Sequence, residues 1–217
     1  VLARGLGSVG RRARERHTQR AQWQSVARRG DPLARFQVAA TERMDDTEAL
    51  ALVQRACAAT GPSLEQEHDA LAPLLGSGGP TAARARQIQR LWGGMGAVYS
   101  VTAGTADGTS AELVVKRVAL PRGGSLSFGD QRKKDSYQCE SCFYETLAAE
   151  LRAARCSVPA AMLVERHEDG SVTIVMSKLP GCSRSLGEAE MAVVVAFLAQ
   201  MHGHTWGARA DAAVAKG

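Results

Sequence analysis

Ile88-Gln-Arg-Leu-Trp-Gly-Gly-Met-Gly-Ala-Val-Tyr-Ser-Val-Thr102 decides the architecture, because two apolar runs flank a cluster of three glycines. Ile88–Trp92 reads as one strand, Gly93–Gly96 as a turn and Ala97–Thr102 as a second strand. Asp107-Gly108 marks the next hairpin connection. Glu112-Leu-Val-Val-Lys-Arg-Val118 then reads as a third strand. Glycine at such a turn lets the main chain approach a phosphate and aim N–H groups at its oxygens. Hairpin glycines are more often plain turn residues, so the turn alone is a weak signal. It matches neither the Walker spacing nor a complete G-x-G-x-x-G.

Downstream, Pro121–Gly129 is rich in Gly and Ser and reads as a loop. A long helix is predicted over Asp130–Ala154, with Phe143, Tyr144, Leu147 and Leu151 at the spacing of one buried face. Pro159 precedes a strand at Ala161–Arg166, Glu168-Asp-Gly170 turns the chain, and Val172–Met176 returns as a strand. Leu179–Ser183 is a connector. Ser185-Leu-Gly-Glu188 has a capping-box pattern. It opens a helix with Met191, Val194, Val195, Leu198, Met201 and His202 on one face. Upstream, Asp46, Thr47 and Glu48 open a helix whose apolar face is Leu50, Val53 and Cys57, stopped by Gly61-Pro62. Leu71, Leu74 and Leu75 suggest a short helix before the turn-rich Gly76–Pro80. Antiparallel strands with one inserted helix indicate an α+β sheet domain. The chain divides into an arm at 1–40, a helical lead-in and linker at 41–85, the sheet domain at 86–183 and a further helix at 184–217.

Composition bounds the function classes. The longest apolar stretch, Met191–Leu198, is far short of the ~20 residues that span a bilayer, so no membrane partner is expected. The chain has net charge +5, yet residues 1–36 hold nine Arg against Glu15 and Asp31, a local +7. The basicity therefore belongs to the arm. A disordered basic tail is the first reading, an organelle-targeting segment the second and nucleic-acid binding a distant third. A cytoplasmic protein is expected, with organelle targeting through the arm as the alternative. Five cysteines, Cys57, Cys139, Cys142, Cys156 and Cys182, do not suggest a disulfide framework. Cys139-x-x-Cys142 has no second pair to complete a zinc site. His202-x-His204 points its two rings ~200° apart on a helix, so no metal site is read there. Val at position 1 and the Ala-Val-Ala-Lys-Gly217 end suggest a fragment.

Lys116 is the chemically informative residue. It interrupts an apolar strand, where an ammonium faces either solvent or a partner. A nucleotide-binding strand lysine of this kind holds phosphates and is positioned by a helix carboxylate. Glu140 and Glu145 are the candidates. Glu140 leads the inward series 140, 144, 147, 151, whereas Glu145 lies ~140° away. A glutamate on a buried face is costly unless paired, which selects Glu140.

Lys133-Lys-Asp-Ser-Tyr-Gln-Cys-Glu-Ser-Cys-Phe-Tyr144 resembles the R-K-x-x-S-Y-x-x-E-x-x-F-Y run of the choline-kinase-like and ecdysteroid-kinase-like branch of the aminoglycoside phosphotransferases. Leu91–Tyr99 resembles that family's phosphate loop, Leu113–Lys116 its lysine strand and Val158-Pro159 with Val164-Glu165 the approach to its fourth strand. Thr173–Met176 is similar to its hinge strand, and Phe197–His202 with Trp206 to its L-A-x-x-H-A-x-x-W helix. The resemblance covers about residues 86–207. It implies a protein-kinase-like N-lobe followed by the first helix of a truncated C-lobe. It also implies transfer of the ATP γ-phosphate to a hydroxyl of a small metabolite such as a choline-, aminoglycoside- or ecdysteroid-like acceptor. It assigns phosphate contact to Gly94 and Gly96, anchoring to Lys116, lysine positioning to Glu140 and adenine contact to the backbone around Met176, Ser177 and Leu179. The hinge departs from the family's Met-Glu-Asp-Leu, reading Met176-Ser-Lys-Leu179. The chain has no His-Gly-Asp loop. No catalytic residue and no Mg ligand is therefore expected in it, both belonging to the missing C-lobe. A non-catalytic, pseudokinase-like nucleotide-binding or interaction module is the alternative.

Overall fold

The computed structural model describes residues 43–60, 70–119, 127–180 and 186–207, all inside the compact unit Thr41–Gly217. The basic arm, the Gly61-Pro62 stop, most of the Pro121–Gly129 loop, Cys182 and the Ser185 cap lie outside the described residues. Five antiparallel strands form an open sheet: β1 Ala82–Arg90, β2 Gly96–Gly104, β3 Ser110–Val118, β4 Ala161–Arg166 and β5 Val172–Ser177. Their order is β1-β2-β3-β5-β4. The α+β class and the five-stranded antiparallel sheet expected from the sequence are both present.

β1 corrects the expectation at its own edge. It starts six residues before Ile88 and stops at Arg90, while Trp92 falls in a short 3₁₀ turn, Trp92–Gly94. The signal was the alternation Ala83-Arg-Ala-Arg86, in which Ala83 and Ala85 sit half-buried against the core and the arginines are exposed. Alanine is a weak strand marker, so the period-2 pattern went unread. A register shift between Gln87 and Gln89 then bulges the strand at exposed Ile88.

Period-2 alternation along β3 sends Leu113 and Val115 to one face and Val114, Lys116 and Val118 to the other. The first face is closed by α1 Asp46–Thr60 and the short α2 Ala72–Leu75. Leu52, Val53, Leu71, Leu74, Tyr99, Val101, Leu113 and Val175 are buried together there. Each such aliphatic side chain contributes about 1.5–3 kcal/mol by leaving water. α1 presents Ala49, Leu52, Val53 and Ala56 to the sheet, not the expected Leu50–Val53–Cys57 face; Leu50 and Cys57 are half-buried at its margins. The two alanines let the helix backbone approach closely, which a face of larger residues would prevent. Burial pushes the Cys57 thiol up.

Polar groups fix α1 at its rim. Asp46 accepts the Ala85 N–H at 2.9 Å, Glu48 pairs with Arg117 at 2.7 Å, and Arg55 donates twice to the Glu165 carboxylate at 2.8 and 3.0 Å. The Arg55 hydrogen bond holds the Glu165 carboxyl below its ordinary range. A depressed carboxylate pKa stabilises the fold above its ordinary value of 4.5 and stops doing so as pH falls through the folded value. Arg55 is half exposed, so the coupling is small. A double-mutant cycle of Arg55→Met and Glu165→Gln in urea is expected to give under about 1 kcal/mol at pH 7, fading below pH 4.5. Coupling that stayed constant as the carboxylate is titrated to its protonated form would rule out the charge.

The second face is covered by α3 Phe128–Thr146. The helix starts two residues earlier than predicted because the Ser127 side chain accepts the Asp130 N–H. It also ends early. The backbone breaks at Leu147, and α4 Ala148–Ala153 continues as a separate turn that buries Leu151 with Cys156 and Val158.

α5 Glu188–His204 begins behind Gly187, whose N–H donates to Glu190 at 2.7 Å. Its packed face differs from the expected one. Phe197 and Met201 lie against Leu151, Cys156 and Val158, and Val194 is half-buried. Met191, Val193, Val195 and Leu198 are exposed, Val193 at 69%. The helix is apolar around most of its circumference, so periodicity could not choose its inner side. No helix among the described residues is long and apolar enough to cross a membrane.

Candidate functional site

Lys116 occupies the middle of β3, with Val98 of β2 and Ile174 of β5 as its register neighbours. Its stem therefore runs over an apolar sheet face, and its ammonium has to find a partner above that face. The partner is Glu140. The two form an ion pair in which the lysine side chain is 15% exposed and the glutamate 30%. The Tyr137 ring lies 5.1 Å from the same ammonium, a cation–π contact. The Tyr144 hydroxyl reaches Met176 Sδ at 3.7 Å. Burial, and then the Glu140 charge, push both tyrosines up, so they stay protonated near neutral pH.

Lys133, Tyr137, Glu140 and Tyr144 recur every three or four residues and so share one side of α3. Glu145 points elsewhere, pairing with Arg166, which also donates to Cys142 Sγ at 3.2 Å. The choice of Glu140 over Glu145 thus agrees with the geometry. Cys139 and Cys142 are free thiols on this helix, as are Cys57 and Cys156 in the core.

Leading into β2, the chain from Leu91 to Gly96 closes on itself. Leu91 N–H donates to Gly96 O at 2.9 Å and Gly94 N–H to Leu91 O at 3.1 Å. Gly94 has φ +70° and Gly96 φ +123°. At Gly96 a Cβ would stand 2.0 Å from Arg117 O, so the turn can sit this close to β3 only with glycine. Gly96 pairs with Val118, two residues from Lys116. The turn and the lysine are therefore neighbours across one hairpin.

The hinge residues are placed unequally. Met176 is buried opposite Val114 and fills the cluster beneath Tyr144. Ser177 donates its N–H to Ala160 O at 2.8 Å and accepts the Ala160 N–H on its hydroxyl at 2.9 Å. Both groups are committed, so a base contacting Ser177 N–H would compete with Ala160. Leu179 follows the strand and is 40% exposed.

In comparisons with known proteins, no family model and no curated protein matches this sequence. Sequence reasoning missed Tyr137, Trp92 and Lys133. Tyr137 was detectable as the residue three before Glu140. Trp92 was not, because it had been placed inside a strand. One His-x-Asp spacing is present, His167-Glu-Asp169. It is the β4–β5 turn, where Asp169 accepts the Ser171 N–H at 2.9 Å and His167 Nε2 lies 3.4 Å from Thr173 Oγ1. That turn is structural. Among the described residues, no cluster of three or more His, Cys, Asp or Glu could hold a metal ion.

Proposed function

We propose that the sheet and α3 bind a nucleoside triphosphate between the glycine turn and Lys116, as the nucleotide-binding part of a small-molecule kinase acting on a hydroxyl acceptor. The observation that carries this reading is the Lys116–Glu140 pair lying next to a turn that only glycine permits. A lysine embedded in an apolar sheet is not needed for folding, because a Met or Leu would pack there without desolvating a charge. Glu140 fixes the ammonium in place, leaving donors for phosphate oxygens, since an ammonium carries three. With no side chains at Gly94 and Gly96 a phosphate can approach the main chain of the turn closely; the Gly94 N–H already bonds Leu91 O, so a phosphate would compete for it.

The resemblance in the Lys133–Tyr144 and Leu91–Tyr99 segments supports ATP as the nucleotide and a small hydroxyl compound as acceptor. Bound ATP would supply the phosphoryl group. Lys116 would anchor its inner phosphates, Glu140 would hold Lys116, and the chain after β5 would meet the base. Magnesium ligands and a base for the acceptor hydroxyl are assigned to none of the described residues. The test is calorimetric titration of the full chain with ATP and Mg²⁺. Millimolar or tighter binding is expected, weakened about three- to tenfold in Glu140→Gln, which loses one charge-assisted contact on the lysine. Absence of heat up to 10-fold excess over that range would sink the proposal.

A further inference from the structure

One side of α3 carries its residues in a meaningful order. Tyr144 touches Met176 at the β5 end, Glu140 meets Lys116, and Tyr137 lies against the same ammonium. One helical turn further toward the N-terminus, Lys133 reaches the glycine turn, its Nζ 5.5 Å from the centre of the Trp92 ring. Lys133 is thus a point where α3 meets the turn at Trp92. If the base lies at the Met176 end and the inner phosphates on Lys116, the outer phosphate runs toward Lys133.

We propose that Lys133 is a second polyphosphate-binding cation, taking the terminal phosphate of a nucleoside triphosphate, with Trp92 as the wall of that subsite. This rests on the nucleotide reading above. Two observations support it. Lys133 donates to Asp130 Oδ1 at 2.8 Å, while Asp130 Oδ2 accepts the Ser127 hydroxyl at 2.7 Å. The hold is weak, because a partly exposed i,i+3 pair contributes under about 1 kcal/mol, so a phosphate oxygen can join or displace the carboxylate. Trp92 is 82% exposed at the turn, and packing within the described residues gives no reason for an indole there.

The competing explanation is that Lys133 merely fastens the turn to α3. Such a role would affect melting and would weaken every ligand equally. The decisive measurement is calorimetric titration of the full chain with ATP, ADP and inorganic tripolyphosphate. Wild type, Lys133→Gln and Lys133→Arg are compared, with melting curves for each. Lys133→Gln is expected to lose about tenfold affinity for ATP and tripolyphosphate, as for one charge-assisted contact. It should lose less than about twofold for ADP, and Lys133→Arg should restore most of the loss. Equal losses for ATP and ADP, or none, would overturn the terminal-phosphate role and leave Lys116 as the anchor. Binding of tripolyphosphate but of neither nucleotide would overturn the nucleotide reading, and Lys133→Gln would then report on a polyphosphate site alone. Binding of none of the three by wild type would overturn both.

Discussion

Gly96→Ala is expected to lower the melting temperature by about 10 °C, corresponding to roughly 3 kcal/mol in a body of this size. Two physical effects combine at this residue. The backbone sits at φ +123°, where an L side chain is strained. The added methyl would also meet the Arg117 carbonyl oxygen at 2.0 Å and its carbon at 2.9 Å. Both obstacles are backbone atoms of β3, so relief requires β2 to pull away from β3 where Gly96 pairs with Val118. Gly108→Ala is the control. It has φ +88° but nothing within 4 Å of the added carbon. Only the conformational part remains there, about 1–2 kcal/mol. If the two variants melt together, the close approach of the glycine turn to β3 is not as described. If Gly96→Ala melts far lower, the turn is held against the strand that carries Lys116.

Lys116→Met is expected to abolish nucleotide binding, with a loss of at least about 100-fold, while changing stability by less than about 1 kcal/mol. The affinity loss follows, on the proposed reading, from removing the charge that would contact the phosphates, at about 1.5–3 kcal/mol per charge-assisted bond. The small stability effect follows from the surroundings. Met fits over Val98 and Ile174, and removing the ammonium removes its desolvation cost. Glu140 loses its partner but is 30% exposed, so water can hydrate it. A structural ion pair predicts the reverse pattern, with a lower melting temperature and unchanged ligand binding. Measuring the melt and the ATP titration on the same preparation separates the two. In Glu140→Gln plus Lys116→Met, the effects on ATP affinity should be strongly non-additive, because the glutamate acts through the lysine.

Much of this site was legible in the sequence because a charge interrupting an apolar pattern is a strong signal. Lys116 stood out among valines, and helical geometry alone separated Glu140 from Glu145. Glu145 instead meets Arg166 on another side of the helix. Strands β2, β3 and β5 were marked by β-branched residues and β4 by the flanking Pro159 and Glu168-Asp-Gly170 turn, so their places were readable to within two residues. Other features left weaker traces. β1 is built from Ala, Arg and Gln, whose side chains carry little strand preference, and only its pairing with β2 reveals it. The buried face of α1 relies on small residues, which hydrophobic periodicity underweights. α5 is apolar almost all round, so its packed line through Phe197 and Met201 depends on where Leu151, Cys156 and Val158 happen to be. The Trp92–Lys133 contact joins residues far apart in sequence, and no local pattern encodes it.

The arginine-rich composition of β1 has a further effect. β1 lies at one border of the open sheet, where unpaired main-chain groups could recruit a strand from another molecule. Arg84, Arg86 and Arg90 crowd that border with like charge, and the irregularity at Ile88 disturbs the flat register an incoming strand would need. Sheet-to-sheet polymerisation along β1 is thereby discouraged. Growth of the sheet by strand addition is thus opposed at the β1 side.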